Sequence, residues 1–286
     1  MSLLSPQLQA FLAVSQLKTV HGAAKTLGIT QTGVTQRLRA LETTLATTLF
    51  IRSRRGMLLT EEGEVLFRYC LSARELEAPA LAKILGAGKR KEIRVGITGP
   101  TSILRTRVIP PCMGLLKDFP DLLFHFKISD TERGVEDLRD GSAQFAILRP
   151  ENTPKDLDTK LLRPERYVLV GPEAWKKRPI REVVGTERII DFDPEDRTSF
   201  DYLRACRLLE RVNSERHFVN NNEALAAMIE AGHGYGVFTL EFAEQFLKRC
   251  KIAILNATVF ERPQALAWYP RSVSSEYWTR TVRAIR

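Results

Sequence analysis

Hydrophobic positions recur at helical spacing through the first third of this 286-residue chain. Leu8, Phe11 and Leu12 form a stripe behind Ser5-Pro6, a capping hydroxyl followed by proline at a first helical position. A second short helix is expected over 22–27, with Ala23, Ala24 and Leu27 inward and Gly28 as terminator. Thr30 then caps a third helix, in which Val34, Leu38, Leu41 and Leu45 repeat at i, i+4, i+7 and i+11. Leu49–Arg52 and Met57–Leu59 read as short strands around Ser53-Arg54-Arg55-Gly56, a two-stranded wing. From Thr60 to about Ala87 a long helical pattern places Val65, Leu66, Tyr69, Ala73, Leu76, Leu81, Ile84 and Leu85 largely on one side. That stripe asks for a packing partner. Pro79 is expected to kink or divide the helix, and residues 86–92, GAGKRKE, to form a hinge.

Beyond the hinge the pattern alternates. Runs at 92–98, 122–129, 144–148, 166–171, 235–239 and 265–269 read as strands. Segments 101–118, 131–140, 199–210, 222–232 and 275–286 read as helices, with Pro110-Pro111 at a permissive turn. Such alternation predicts a mainly parallel, open α/β sheet, and about 195 residues suffice for two small lobes.

Charge sharpens this division. The chain carries a net +9, and residues 1–60 hold Lys18, Lys25, Arg37, Arg39, Arg52, Arg54 and Arg55 against Glu42 alone. Most of the excess charge therefore sits on a short head, which suits a polyanion. The four cysteines are far apart without CxxC spacing, and the four histidines share no metal-ligand spacing. Cys206 lies between Arg204 and Arg207, but ordinary helical cysteine explains it. No metal or cofactor is expected. The N-terminus lacks a secretion signal, and no run approaches a membrane span, so the expected location is cytoplasmic.

Two helices joined by a tight turn, the second polar on its outer face, fit a helix-turn-helix. With Val34, Leu38 and Leu41 inward, Gln31, Thr32, Thr35 and Gln36 point outward at the leading end. Glutamine can pair with adenine, and threonine offers a hydroxyl and a methyl. Arg37 and Arg39 lie further along, better placed for phosphates, and Arg52, Arg54 and Arg55 on the wing add phosphate or minor-groove contacts.

The run HGAAKTLGITQTGVTQRLRALETTLATTLFIRSRRGMLLTEEGEVL, residues 21–66, resembles the DNA-binding head of LysR-type transcriptional regulators. Ala23-Ala24, Leu27, Ile29-Thr30-Gln31, Val34-Thr35, Leu41-Glu42, Leu49-Phe50, Arg52, Leu59-Thr60 and Gly63 carry the likeness. It extends through the body, in Glu92–Thr98, in Phe119-Pro120 and in NNNEALAAMIEAGHGYGVF, residues 220–238. Four positions depart from the family pattern. Gly33 stands for a common alanine, Ala46 for a frequent glycine and His21 for a usual Ser/Thr cap, and Pro79 interrupts the linker helix.

The resemblance implies an α/β chain headed by an all-α winged helix-turn-helix domain over 1–60. A linker and dimerisation helix with its hinge would follow over 61–91. Residues 92–286 would form a two-lobed effector domain like a periplasmic binding protein, lobe 1 over about 92–162 and 267–286 and lobe 2 over about 163–266. The implied partners are double-stranded DNA, a small-molecule effector and further copies of the chain. Those copies would form a homodimer through the linker helix and a homotetramer beyond it.

Effector contacts are expected at strand ends facing helix starts, where free amides favour anions. Thr98, Gly99, Thr101 and Ser102 form one such turn, and Ser129 with Asp130 a second. Arg197, Asn220 and Asn221 come from the other lobe. Each of these positions also fits an ordinary helix cap. FDPEDRTSFDYL, ISDTERGVEDLRDG and LAWYPRS further resemble the arginine- and lysine-responsive regulators of amino-acid export. An amino acid would suit Asp130 as partner for its ammonium and the amides near Thr101 for its carboxylate. An organic acid or an aromatic molecule is an equal alternative.

An enzyme of small-metabolite metabolism with an appended nucleic-acid module is the competing reading. GxSxG, Walker A and HExxH motifs are absent, and the acidic residues mostly fit solvated helix faces. Gly232-His233-Gly234-Tyr235-Gly236 precedes a strand rather than following one, unlike a dinucleotide fingerprint. A purely architectural DNA binder would leave the two-lobed body without a role.

Overall fold

The computed structural model describes residues 3–53, 56–85, 92–129, 131–247, 249, 251–271 and 274–286. Arg54, Arg55, Asp130 and most of the expected hinge, 86–91, lie outside the described residues. Packing divides the chain into two units, one of Met1–Lys160 with Leu266–Arg286 and one of Leu161–Ala265. The head and the first lobe thus share one unit.

In the first unit, α1 (Pro6–Leu17), α2 (Val20–Leu27) and α3 (Gln31–Leu45) close around Phe11, Val14, Ala23, Val34, Leu38 and Leu41. Phe11 meets Phe50 with ring centroids 5.3 Å apart, tying this core to the wing of β1 (Phe50–Ser53) and β2 (Gly56–Leu59). The wing pairs antiparallel, Phe50 opposite Leu59. Leu45, expected inward, is exposed. Helix α4 (Glu61–Leu85) continues past Pro79 without division. One side of it gives Phe67 and Cys70 to the head core, while Val65, Tyr69, Leu76 and Ile84 stay exposed. Leu71 also stands against Gly141 of the first lobe, and the Arg68 guanidinium lies 5.3 Å from the Tyr269 ring centre.

The first lobe is built on β3 (Ile93–Gly99), flanked in parallel by β4 (Leu122–Ile128) and β5 (Phe145–Leu148). Val95–Gly99 and all of β5 are buried, as expected of a parallel sheet covered on both faces. After β3 the chain runs through α5 (Thr101–Ile103), a π-helical turn at Leu104–Val108 and α6 (Ile109–Leu115). The π turn answers the question posed by Pro110-Pro111. Neither proline has an N–H to donate, and Ile109 N–H bonds the Leu104 carbonyl five residues back. Helix α7 (Thr131–Arg139) packs on β3 and β5.

In the second unit, β6 (Asp158–Pro172) runs antiparallel to β9 (Gly236–Thr239), Tyr167 opposite Thr239. This pair departs from the expected parallel sheet. Alternation along β6 splits two cores: Val168 and Val170 face α10 (Asn222–Glu230) and α11 (Leu240–Leu247), while Leu169 faces α8 (Ile180–Thr186) and α9 (Thr198–Ala205). Short parallel strands β7 (Ile189–Asp191) and β8 (Arg216–Phe218) complete this unit. The expected 265–269 strand is the end of the longer β10 (Ile252–Trp268), and α12 (Glu276–Ala284) closes the chain.

Candidate functional site

Local chemistry positions α3. Gly28 ends α2 in the left-handed region at φ +65, and the Thr30 hydroxyl accepts from Gly33 N–H at 3.0 Å. Three residues therefore separate the helices. The cap of α2 is Thr19, accepting from Gly22 N–H at 3.1 Å, not His21, which lies within the helix. Val34, Leu38 and Leu41 point into the core, so Gln31, Thr32, Gln36 and Arg39 are exposed and Thr35 and Arg37 half-buried. Of the four expected outward, Gln31, Thr32 and Gln36 are exposed and Thr35 is half-buried. The Thr35 hydroxyl donates to the Gln31 carbonyl at 3.0 Å. That side chain can therefore offer a base only its lone pairs and its methyl.

Glu42, the only acid among residues 1–60, accepts the Leu49 N–H at 2.8 Å. Its charge is spent fixing the entry to the wing. Arg52 is exposed on β1. The base of the wing rests on α1: Met57 N–H donates to the Lys18 carbonyl at 2.9 Å, and a Cβ on Gly56 would stand 2.4 Å from that oxygen.

In the first unit, the strand-end polar groups divide into two kinds. Thr98 and Ser129, expected to meet a ligand, are buried and joined hydroxyl to hydroxyl at 2.5 Å. The Thr98 hydroxyl also lies 2.9 Å from the Asp137 carboxylate, whose other oxygen accepts from Lys127 Nζ at 2.6 Å. Both hydroxyls are thus committed to the interior. Gly99 is held by packing, because a Cβ there would stand 2.8 Å from Ile147. Thr101 and Ser102 are half-buried at the start of α5, where Pro100 gives no side-chain cap. Asp137 escaped the sequence reading because α7 looks like a solvated helix; only its place among Val135, Leu138 and Gly134 hinted at burial.

In the second unit, Arg197 is exposed at the start of α9. Asn220 and Asn221 are exposed before α10, and the Asn221 side-chain Oδ1 caps that helix, accepting from Glu223 and Ala224 N–H groups at 3.0 and 2.9 Å. Asp191, missed from sequence, is buried at the end of β7. It accepts from Ser199 at 2.6 Å and from Arg216 at 3.0 Å. Burial raises its pKa, against the lowering pull of those two donors. Arg216 spans Phe200 and Phe218 at 5.1 and 4.8 Å and bonds the Pro194 and Asp196 carbonyls. It pins the loop that carries Arg197. Among the described residues, no three His, Cys, Asp or Glu side chains converge as metal ligands, and no helix is long and apolar enough to cross a membrane.

Two family models match the chain. The "LysR substrate binding domain" matches residues 86–286, and the "bacterial regulatory helix-turn-helix protein, lysR family" matches 6–64. The transcriptional activator TtdR of Escherichia coli is 28% identical over 176 residues, 62% of this chain and 56% of that protein, so the match spans little more than half of the relative. The regulator LysG of Mycobacterium tuberculosis is 26% identical over 243 residues, 83% of this chain and 78% of that one. Among solved structures, ArgP from Mycobacterium tuberculosis aligns with a TM-score of 0.77 at 24% identity, over 98% of this chain and 96% of that one. LysG from Corynebacterium glutamicum with bound effector Arg aligns at 0.75 and 20% identity, over 99% and 96%. The two models together account for nearly the whole chain, which therefore belongs to the LysR family of bacterial helix-turn-helix regulators.

Proposed function

We propose that this chain is a sequence-specific, effector-responsive regulator of transcription that works in the cytoplasm without enzymatic activity or a cofactor. The observation that carries the reading is the outer face of α3: hydrogen-bonding side chains and arginines lie outward while Val34, Leu38 and Leu41 hold the helix from behind. Gln31, Thr32, Thr35 and Gln36 would meet base edges, and Arg37, Arg39, Arg52, Arg54 and Arg55 would meet phosphates. The exposed Val65, Tyr69, Leu76 and Ile84 on α4 support pairing of two chains along that helix, and a tetramer is proposed by analogy with the family. Selection of random duplexes by the full chain tests the reading. Enrichment of a partly dyad-symmetric site, weakening steeply with salt, supports it. Retention of all sequences alike refutes it.

For the effector, the uncapped start of α5 beside Thr101 and Ser102 supports a carboxylate. Thr98, Ser129 and Gly99 would act behind that surface. Arg197, Asn220 and the side-chain amide nitrogen of Asn221 are the groups the second unit would offer, and Asp130 is the proposed partner for an ammonium. The arginine bound to the Corynebacterium glutamicum protein favours a basic amino acid over an organic acid. Thermal-shift titration of the full chain with arginine, lysine and dicarboxylates separates these: stabilisation by a basic amino acid alone supports the choice, and by dicarboxylates alone overturns it.

A further inference from the structure

His21 is released from the capping duty that its position suggested, because Thr19 holds the start of α2. The imidazole instead reaches the first residue of α3: its Nδ1 lies 3.2 Å from Gln31 Nε2. With the neutral ring protonated at Nε2, Nδ1 accepts from that amide nitrogen. Both side chains are exposed, on the face proposed to meet DNA.

We infer that His21 is a positioning residue for base readout, fixing which end of the Gln31 amide faces the duplex. The inference rests on the reading of α3 as the base-reading helix. A free glutamine amide turns over with little preference, since its terminal torsion is broad and roughly two-fold. Each turn exchanges donor and acceptor in space. Adenine offers the major groove an acceptor at N7 beside a donor at N6, so recognition needs one order of amide atoms and rejects the other. With one Nε2 hydrogen held by His21, the second hydrogen and Oε1 keep a single order. Ordering before contact also removes a side-chain entropy cost from the bound state. His21 would thus raise specificity without touching a base.

The probe is the duplex enriched from the random pool, together with all its single base-pair substitutions. Relative affinities are measured for the full chain and for His21→Ala, His21→Asn, Gln31→Ala and the double variant His21→Ala/Gln31→Ala. His21→Ala is expected to cut discrimination at one base pair about threefold to tenfold, the size of one hydrogen bond, while leaving affinity for random duplex and the salt dependence unchanged. Asparagine places Oδ1 near the Nδ1 position, so His21→Asn should restore discrimination. The double variant should match Gln31→Ala. Uniform weakening of every duplex by His21→Ala, or effects that multiply in the double variant, would overturn the inference while leaving the readout role of Gln31 standing. Intact base preference in Gln31→Ala would instead remove that role, and the inference with it.

Discussion

Thr98 and Asp137 meet inside the first lobe, hydroxyl to carboxylate at 2.9 Å, with Lys127 on the far oxygen at 2.6 Å. Removing the carboxylate leaves the buried Thr98 hydroxyl without that partner and Lys127, only one-third exposed, without its counter-ion. Asp137→Ala should therefore destabilise this unit by about 3 kcal/mol. Asp137→Asn, which keeps an acceptor for Thr98, should cost less. Thr98→Val should cost about 1–2 kcal/mol through the unsatisfied partners it leaves. Urea unfolding of the three variants checks the order, and equal midpoints for all would show that the network carries no stability.

Backbone conformation at the head gives a second pair of expectations. Ala46 sits at φ +50 as the cap of α3, its N–H bonded to Glu42 and Thr43 carbonyls. A left-handed alanine is strained, so Ala46→Gly should stabilise by about 1 kcal/mol. Gly56 combines φ +107 with the Lys18 carbonyl 2.4 Å from where a Cβ would stand. Gly56→Ala should therefore loosen the wing from α1. Thermal unfolding of full-length variants should move in opposite directions, and a rise for both would contradict this geometry.

The cysteines differ in reactivity for a reason of burial. Burial pushes the Cys70 thiol up to about 11 and the Cys112 thiol up to about 12. At pH 8 their thiolate fractions fall to about 10⁻³ and 10⁻⁴, and the thiolate is the reacting form. Cys206 is half-buried. Iodoacetamide followed by peptide mass spectrometry should label Cys206 well before either buried thiol in the native protein, and all of them after denaturation. Early labelling of Cys112 would contradict its place against the first lobe's core.

Much of this was legible in the chain because periodicity records which side of an element is buried. Val34, Leu38 and Leu41 fix the rotation of α3, which leaves Gln36 and Arg39 exposed and Thr35 and Arg37 half-buried. The expected effector residues were less legible. Thr98 and Ser129 look like ligand hydroxyls at strand ends, yet a polar group there serves equally well inside, given a partner such as Asp137. That partner is 39 residues away in sequence, and no local pattern joins them. Asp191 and Arg216 escaped for the same reason, being brought together only by the pairing of β7 with β8. His21 was misplaced by two positions because Thr19 and His21 both precede the Ala23-Ala24 pair; hydrogen bonding, not spacing, decides which one caps. Pro79 did not divide α4, which runs unbroken from Glu61 to Leu85.

The central claim is that α3 reads bases while the arginines hold phosphates. Its most direct measurement compares, on the enriched duplex and on random duplex, the binding of Gln31→Ala, Thr32→Ala and Arg52→Ala. The first two should lower the ratio of enriched to random affinity, by about 1–3 kcal/mol for a lost base contact, with little change on random duplex. Arg52→Ala should weaken both duplexes alike and flatten the salt dependence by about one charge. If all three variants shift both duplexes equally, α3 is not the reading element and the account fails.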